Sequence, residues 1–126
     1  MEPEYVWNIR KIVENNPIPD DKKLTRTFLV NGKHCTGLIV QAQPQTEPFI
    51  HIHKEHEEFL YILEGEGLAY VGEKTFQVKP GDFVYCPAGV KHGFFMRVKG
   101  LRLSIYGPPF DTEHSDRIPV NGKDLV

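Results

Sequence analysis

Two stretches of the 126-residue sequence decide its fold: IHIHKEHEEFLYILEG at residues 50–65 and GDFVYCPAGVKHGFFM at residues 81–96. His51 and His53 are two residues apart, so in a β-strand both imidazoles project from the same face. Glu58 opens the apolar run that follows, and His92 begins another run after a Pro-Ala-Gly turn. Three imidazoles and one carboxylate predict a metal site, because these ligands suit Fe, Mn, Ni, Zn and Cu.

The sequence around these stretches predicts a series of short strands. Its 11 Gly and 10 Pro are spread along the chain and leave one candidate for a short helix or an N-terminal strand, between Tyr5 and Glu14. From Leu24 onward, apolar runs alternate with turn signals, among which Asn31-Gly32 is the strongest hairpin signal. The predicted strands cover residues 24–30, 36–42, 59–63, 68–71, 75–78, 83–86, 94–98 and 101–106. Many short strands with closely spaced turns predict an all-β sandwich or barrel.

Length and composition predict one globular domain over residues 1–126. We expect a barrel core at about residues 24–107, with an N-terminal segment at 1–23 and a C-terminal tail at 108–126 packed on it. The net charge is −2, and the Lys and Arg residues are scattered, which argues against a nucleic-acid partner. No apolar stretch reaches the roughly 18 residues of a membrane span, and no signal-peptide pattern is seen, so a cytoplasmic location is predicted.

The two cysteines, Cys35 and Cys86, are not spaced like a metal-binding or redox pair. We expect both to be small buried apolar side chains in a reducing compartment. A Cys35–Cys86 disulfide is the alternative.

The spacing of these residues resembles the two motifs of the cupin superfamily. The first motif, G-x5-H-x-H-x(3,4)-E-x6-G, is matched by all but its first glycine, and the second, G-x5-P-x-G-x2-H-x3-N, by all but its last asparagine. Gln45 stands in place of that glycine and Met96 in place of that asparagine. The matching positions are His51, His53, Glu58, Gly65, Gly81, Pro87, Gly89 and His92.

The resemblance implies a double-stranded β-helix, a jelly-roll barrel of six or more strands, with the four ligands lining its interior. It implies one divalent metal ion per chain, held by His51, His53, Glu58 and His92, whose identity as Fe, Mn, Ni or Zn stays open. Small cupins commonly form homodimers by packing their outer sheets, so a homodimer is expected. No other cofactor site is predicted.

Several further side chains are candidates for a substrate pocket. By strand parity, Phe49, Leu60, Phe94 and Met96 are expected to line it, although core packing explains them nearly as well. Polar side chains on candidate strands could reach a substrate, but the sequence does not decide which of them face inward: Arg26, Gln41, Gln43, Tyr85 and Tyr106. Arg26, Tyr85 and Tyr106 are the catalytic candidates, because Arg pairs with carboxylates and Tyr can donate a proton.

The remaining histidines and a rival carboxylate are predicted to lie outside the site. His56 is expected at the surface, and His34 and His114 are expected in solvent. The spacing to Gly65 selects Glu58 over Glu57 as the ligand. Phe59 and Tyr61 alternate with Glu58 and Leu60 along the same predicted strand, so their side chains should face outward. A dimer interface could form on that outer face.

Three functions fit these residues. The first is a metal-dependent enzyme for a small polar organic molecule such as an oxo-acid or sugar acid: a dioxygenase with Fe, or an isomerase, decarboxylase or lyase with Mn, Ni or Zn as a Lewis acid. The second is a non-catalytic module that binds or senses a small molecule. The third is a storage or structural barrel in which the metal only stabilises the fold.

Overall fold

The computed structural model describes residues 4–45, 48–109 and 116–119, which form one helix and ten strands. In chain order these are α1 (Ile9–Asn15), β1 (Leu24–Asn31), β2 (Thr36–Ala42), β3 (Phe49–His53), β4 (Glu57–Glu64), β5 (Gly67–Val71), β6 (Lys74–Val78), β7 (Phe83–Cys86), β8 (His92–Met96), β9 (Gly100–Gly107) and β10 (Arg117–Pro119).

The strands form two five-stranded antiparallel sheets. The first has the order β1-β2-β9-β4-β7, which we call sheet A, and the second has the order β10-β3-β8-β5-β6, which we call sheet B. Apart from the hairpins β1–β2 and β5–β6, each strand is followed by one in the other sheet. This arrangement is the double-stranded β-helix, so the predicted fold class is confirmed.

The turn chemistry explains where the elements begin and end. Asn8 caps the helix, since its side-chain oxygen accepts the backbone N–H of Lys11 at 3.0 Å. The β1–β2 hairpin predicted at Asn31-Gly32 is present, and the Gly32 N–H donates to the Cys35 carbonyl at 2.8 Å across its loop. Gly72 lies between β5 and β6 with a φ of 62°, which a glycine adopts without strain.

The apolar core fills one end of the space between the sheets. Leu60 and Ile62 of sheet A are 0% and 1% exposed, and Phe94 and Met96 of sheet B join them in the main cluster. His92 and Glu58 lie toward the other end, each two residues along its strand from Phe94 and Leu60, respectively. The fold therefore places a packed apolar floor beside a group of polar side chains between the sheets, a region that we call the polar chamber.

One sequence prediction about this part of the molecule is wrong, and one strand was not predicted. Cys86 is buried as predicted, but Cys35 is exposed in the β1–β2 loop, and both are free thiols. The strand β10 was not among the predicted strands: it pairs antiparallel with β3, and Ile118 lies opposite Ile52.

Among the described residues, no helix has the length and apolar character that a membrane crossing requires.

Candidate metal centre

The four predicted ligands converge between the two sheets. One ligand atom from each of His51, His53, Glu58 and His92 lies within 4.8 Å of the others. His53, Glu58 and His92 are buried, while His51 is partly exposed and gives the cluster a side that opens toward solvent.

Strand register produces this convergence. His51 and His53 alternate along β3, and His51 lies directly opposite His92 of β8, so these side chains share the inner face of sheet B. Glu58 reaches the cluster from β4 in the opposite sheet. The neighbouring Glu57 accepts a hydrogen bond from the Tyr85 hydroxyl at 2.9 Å outside the cluster.

Two imidazole nitrogens of the cluster residues have no hydrogen-bond partner among the residues that the structure describes. Nε2 of His53 and Nδ1 of His51 are buried and have no hydrogen-bond partner in the described part of the chain. An unsatisfied buried polar atom is costly and demands an explanation. A metal ion accepting their lone pairs supplies one, and three nitrogens with one carboxylate oxygen fit a divalent transition ion.

The contact between His92 and Glu58 supports the same conclusion. Nδ1 of His92 lies 3.1 Å from the Val90 carbonyl oxygen, and its Nε2 lies 3.2 Å from Oε1 of Glu58. A neutral imidazole donates from one nitrogen only. When a neutral His92 donates from Nδ1 to Val90, its Nε2 lone pair faces the carboxylate oxygen, and a proton or a metal ion between the two atoms makes the contact attractive.

The electrostatic surroundings favour the ligand forms of these groups. Burial lowers the pKa of His51 strongly, and the nearby charges of Arg117 and His92 lower it further. Burial would raise the pKa of Glu58, but the hydrogen bond and charge of His92 outweigh it and lower that pKa. A neutral imidazole and an ionised carboxylate are the states that bind a metal ion.

A second carboxylate, Asp116, positions His53. One of its oxygens lies 2.8 Å from Nδ1 of His53, and the other accepts the backbone N–H groups of Glu55 and His56 at 2.7 and 3.0 Å. A carboxylate on Nδ1 fixes the imidazole so that Nε2 carries the lone pair directed at the cluster. Asp116 was not predicted, because its approach depends on β10.

His56 is buried, so its predicted surface position is wrong. Its Nδ1 lies 2.9 Å from Asp116, and its Nε2 lies 3.1 Å from the Pro109 carbonyl oxygen. Burial alone would lower the pKa of His56, but these hydrogen bonds outweigh it and raise that pKa. Of the other histidines, His34 is exposed as predicted, and His114 lies outside the described residues.

The three catalytic candidates lie in different places. Arg26 is opposite Val40 in register and faces inward, and Tyr106 is 4% exposed with its ring 5.4 Å from that of His53. Burial and the Glu58 carboxylate raise the pKa of Tyr106. Tyr85 stacks on Phe59 on the outer face of sheet A and is 46% exposed, a position that does not support a catalytic role.

The proposed pocket residues Phe49, Leu60, Phe94 and Met96 are all buried, and the last three belong to the main apolar cluster. Phe94 also borders the polar chamber, since the Arg102 guanidinium lies 4.5 Å from its ring centre. Arg102 itself was not singled out from the sequence, although its alternation with Ser104 and Tyr106 is a signal that could have found it.

A model of the cupin domain matches residues 38–104, which is more than half of the chain. The chain belongs to the cupin family. The match includes every residue of the metal cluster and excludes Asp116, so this cupin adds Asp116 from outside the matched region.

This cupin is similar to several known proteins. It is 30% identical over 78 residues to an uncharacterized protein of Aquifex aeolicus, a match that covers 60% of this chain and 64% of that protein. It is 36% identical over 44 residues to quercetin 2,3-dioxygenase of Bacillus subtilis, covering 35% of this chain and 13% of that enzyme. Its fold matches a solved structure from Bacillus halodurans with a TM-score of 0.72 and 24% identity, over 90% and 86% of the two chains.

Proposed function

We propose that this cupin is a metal-dependent enzyme acting on a small polar organic molecule such as an oxo-acid or a sugar acid. One divalent ion per chain would be held by His51, His53, Glu58 and His92. The observation that carries the proposal is the set of buried imidazole nitrogens in this cluster that have no hydrogen-bond partner in the described part of the chain. An ion that takes more than four ligands would keep positions open for a substrate, as catalytic metal sites do.

The bound metal would supply dioxygenase chemistry as Fe, or Lewis-acid chemistry for isomerisation, decarboxylation or lyase reactions as Mn, Ni or Zn. The similarity to quercetin 2,3-dioxygenase, confined to 44 residues, supports the first of these. The protein's own groups would orient the substrate. Arg26 would pair with an anionic group, and Tyr106, whose raised pKa keeps its hydroxyl protonated at neutral pH, would donate a hydrogen bond.

We also propose a homodimer formed through the outer face of sheet A. The support is a group of apolar side chains on β4, β7 and β9 that face away from the core. Tyr61, Phe83, Tyr85 and Ile105 are 41%, 65%, 46% and 38% exposed. Register places Tyr61 opposite Phe83, so these side chains form one continuous patch.

The metal assignment is tested by Glu58→Gln with Glu57→Gln as its matched control. Both variants remove one carboxylate from β4, but only Glu58 belongs to the cluster. Metal-free protein would be titrated with Fe, Mn, Ni and Zn, and bound metal measured by elemental analysis. We expect Glu58→Gln to weaken binding on the order of 100-fold or more, since even supporting residues cost 10–100-fold. Glu57→Gln should bind one ion per chain, like the wild type.

Equal metal binding by the wild type and Glu58→Gln would contradict the metal site. Metal-loaded protein would then be assayed for oxygen uptake and for isomerase, decarboxylase and lyase activity on oxo-acids and sugar acids. A compound that raises the melting temperature and is recovered unchanged would instead indicate the binding or sensing function.

A further inference from the structure

Arg102 crosses the interior of the barrel. It lies on β9 in alternation with the buried Ser104 and Tyr106, and it pairs in register with Val40 and Ile62, so its side chain leaves the inner face of sheet A. Its guanidinium lies 4.5 Å from the ring centre of Phe94, which belongs to sheet B. The side chain therefore spans the gap between the sheets, next to the metal cluster.

The hydrogen-bonding capacity of this guanidinium is not used up by the protein. Nε of Arg102 is buried and has no hydrogen-bond partner among the residues that the structure describes. The guanidinium lies over the face of the Phe94 ring, which accepts none of its five N–H groups in a conventional hydrogen bond. The Nε side of the guanidinium is therefore available to bind an anion.

Two more arginines face the same chamber. Arg26 lies opposite Val40, which in turn lies opposite Arg102, so Arg26 and Arg102 flank Val40 on the inner face of sheet A. Arg117 lies opposite His53 on the inner face of sheet B. Both Arg26 and Arg117 are close enough to His51 for their charges to lower its pKa. Three cationic side chains from three strands therefore lie near the cluster, Arg26 and Arg117 on the side of His51 and Arg102 on the side of Glu58.

We propose that these arginines form a carboxylate-binding subsite beside the metal cluster, in which the edge of Arg102 binds one carboxylate of the substrate bidentately. The inference rests on the proposed function and narrows its substrate class to small organic acids. A charged, bidentate hydrogen-bonded pair is strong in a partly buried site and specifies a planar carboxylate. Arg26 would add a second cation within reach of the same anion, and the remaining oxygens of the acid would face the metal ligands.

The test uses malonate and its uncharged analogue malonamide as probes, which share a three-carbon skeleton. Binding to wild-type protein, metal-free and metal-loaded, would be measured by isothermal titration calorimetry and by melting temperature. We expect malonate to bind in both states and malonamide to bind at least 10-fold more weakly. Arg102→Gln should lose malonate affinity by about 10- to 100-fold. It should bind the metal within about twofold of the wild type, because Arg102 is not a ligand.

Arg97→Gln is the matched control, since Arg97 is exposed near the end of β8 and its loss changes the net charge equally. It should bind malonate like the wild type. If Arg102→Gln fails to fold, Arg102→Lys keeps the charge without the bidentate edge and should lose malonate affinity several-fold. Undiminished malonate binding by the folded Arg102 variant, or equal binding of malonamide, would overturn the subsite. Failure of the metal site alone would show as lost metal binding with malonate still bound by the metal-free protein.

Discussion

Among single residues, the metal cluster depends on which nitrogen each imidazole turns inward. His53 illustrates this, because Asp116 takes its Nδ1 and leaves the buried Nε2 for the cluster. Without such a partner an imidazole flips between two orientations. Metal binding is then weaker, because the ring loses this freedom when the ion binds. Supporting carboxylates of this kind raise both the basicity and the positional order of a ligand.

We therefore expect Asp116→Asn to weaken metal binding by about 10- to 100-fold, because the amide holds His53 less firmly and does not raise its basicity. The measurement is a competition titration of metal-free protein with a chromophoric chelator. Asp82→Asn is the control, since that carboxylate accepts the backbone N–H of Lys79 at 2.9 Å in a turn that contributes no ligand. The absorption spectrum of cobalt-loaded protein gives a second readout, which a purely structural effect on the fold would leave unchanged. Wild-type affinity and spectrum in Asp116→Asn would refute this role.

The sequence predicted the cluster residues whose placement follows from local spacing. Alternation along one strand brings His51 and His53 to one face, and a turn of fixed length sets the start of the next strand. Asp116 and His56 were missed or misplaced because their positions depend on contacts about sixty residues apart in sequence. No local pattern encodes such a contact.

The same division between local and distant information holds for the strands. Hairpins with glycine turns were predicted to within one or two residues, because a turn and its two flanking runs are adjacent in sequence. The three-residue β10 has no alternation of its own and ends in a proline, so its pairing with β3 could not be predicted. Gln45, which stands in place of the motif glycine, is hydrogen-bonded to β8: its side-chain oxygen accepts the Met96 N–H at 2.7 Å.

The pairing of β3 with β8 is the element contact that aligns His51 with His92, and Gly93 permits it. A Cβ on Gly93 would collide with the carbonyl oxygen of Phe49 in β3. We expect Gly93→Ala to lower the free energy of unfolding by about 1–3 kcal/mol, as overpacking does. It should also weaken metal binding, because β3 must move away from β8.

Gly37→Ala is the matched control for this strand glycine. Its Cβ would meet the Val30 side chain at 3.6 Å, an ordinary contact, so stability should stay the same or rise slightly. Urea unfolding of the metal-free proteins gives the free energies, and metal titration gives the affinities. Wild-type values of both quantities for Gly93→Ala would show that β3 and β8 are not held at this close spacing.

For the whole molecule, the two faces of sheet A have different roles. The inner face contributes Glu58, Arg102 and Tyr106 to the chamber, and the outer face carries the apolar patch proposed as the dimer interface. An interface on the outer face would lie on the opposite side of the same sheet from the metal cluster. Dimerisation would then stiffen β4 and β9, which supply these groups, without covering the open side near His51.

Phe83→Glu tests that interface, because Phe83 is 65% exposed and a charge there should leave the fold intact. We expect the wild type to sediment as a dimer at micromolar concentration and Phe83→Glu as a monomer, since a buried unpaired carboxylate disfavours association. Phe76→Glu is the control: Phe76 is 48% exposed but lies on β6 of sheet B, so this variant should remain dimeric. Analytical ultracentrifugation distinguishes the two states. A monomeric wild type, or a Phe83→Glu variant that is as dimeric as Phe76→Glu, would place any assembly of this cupin on another surface.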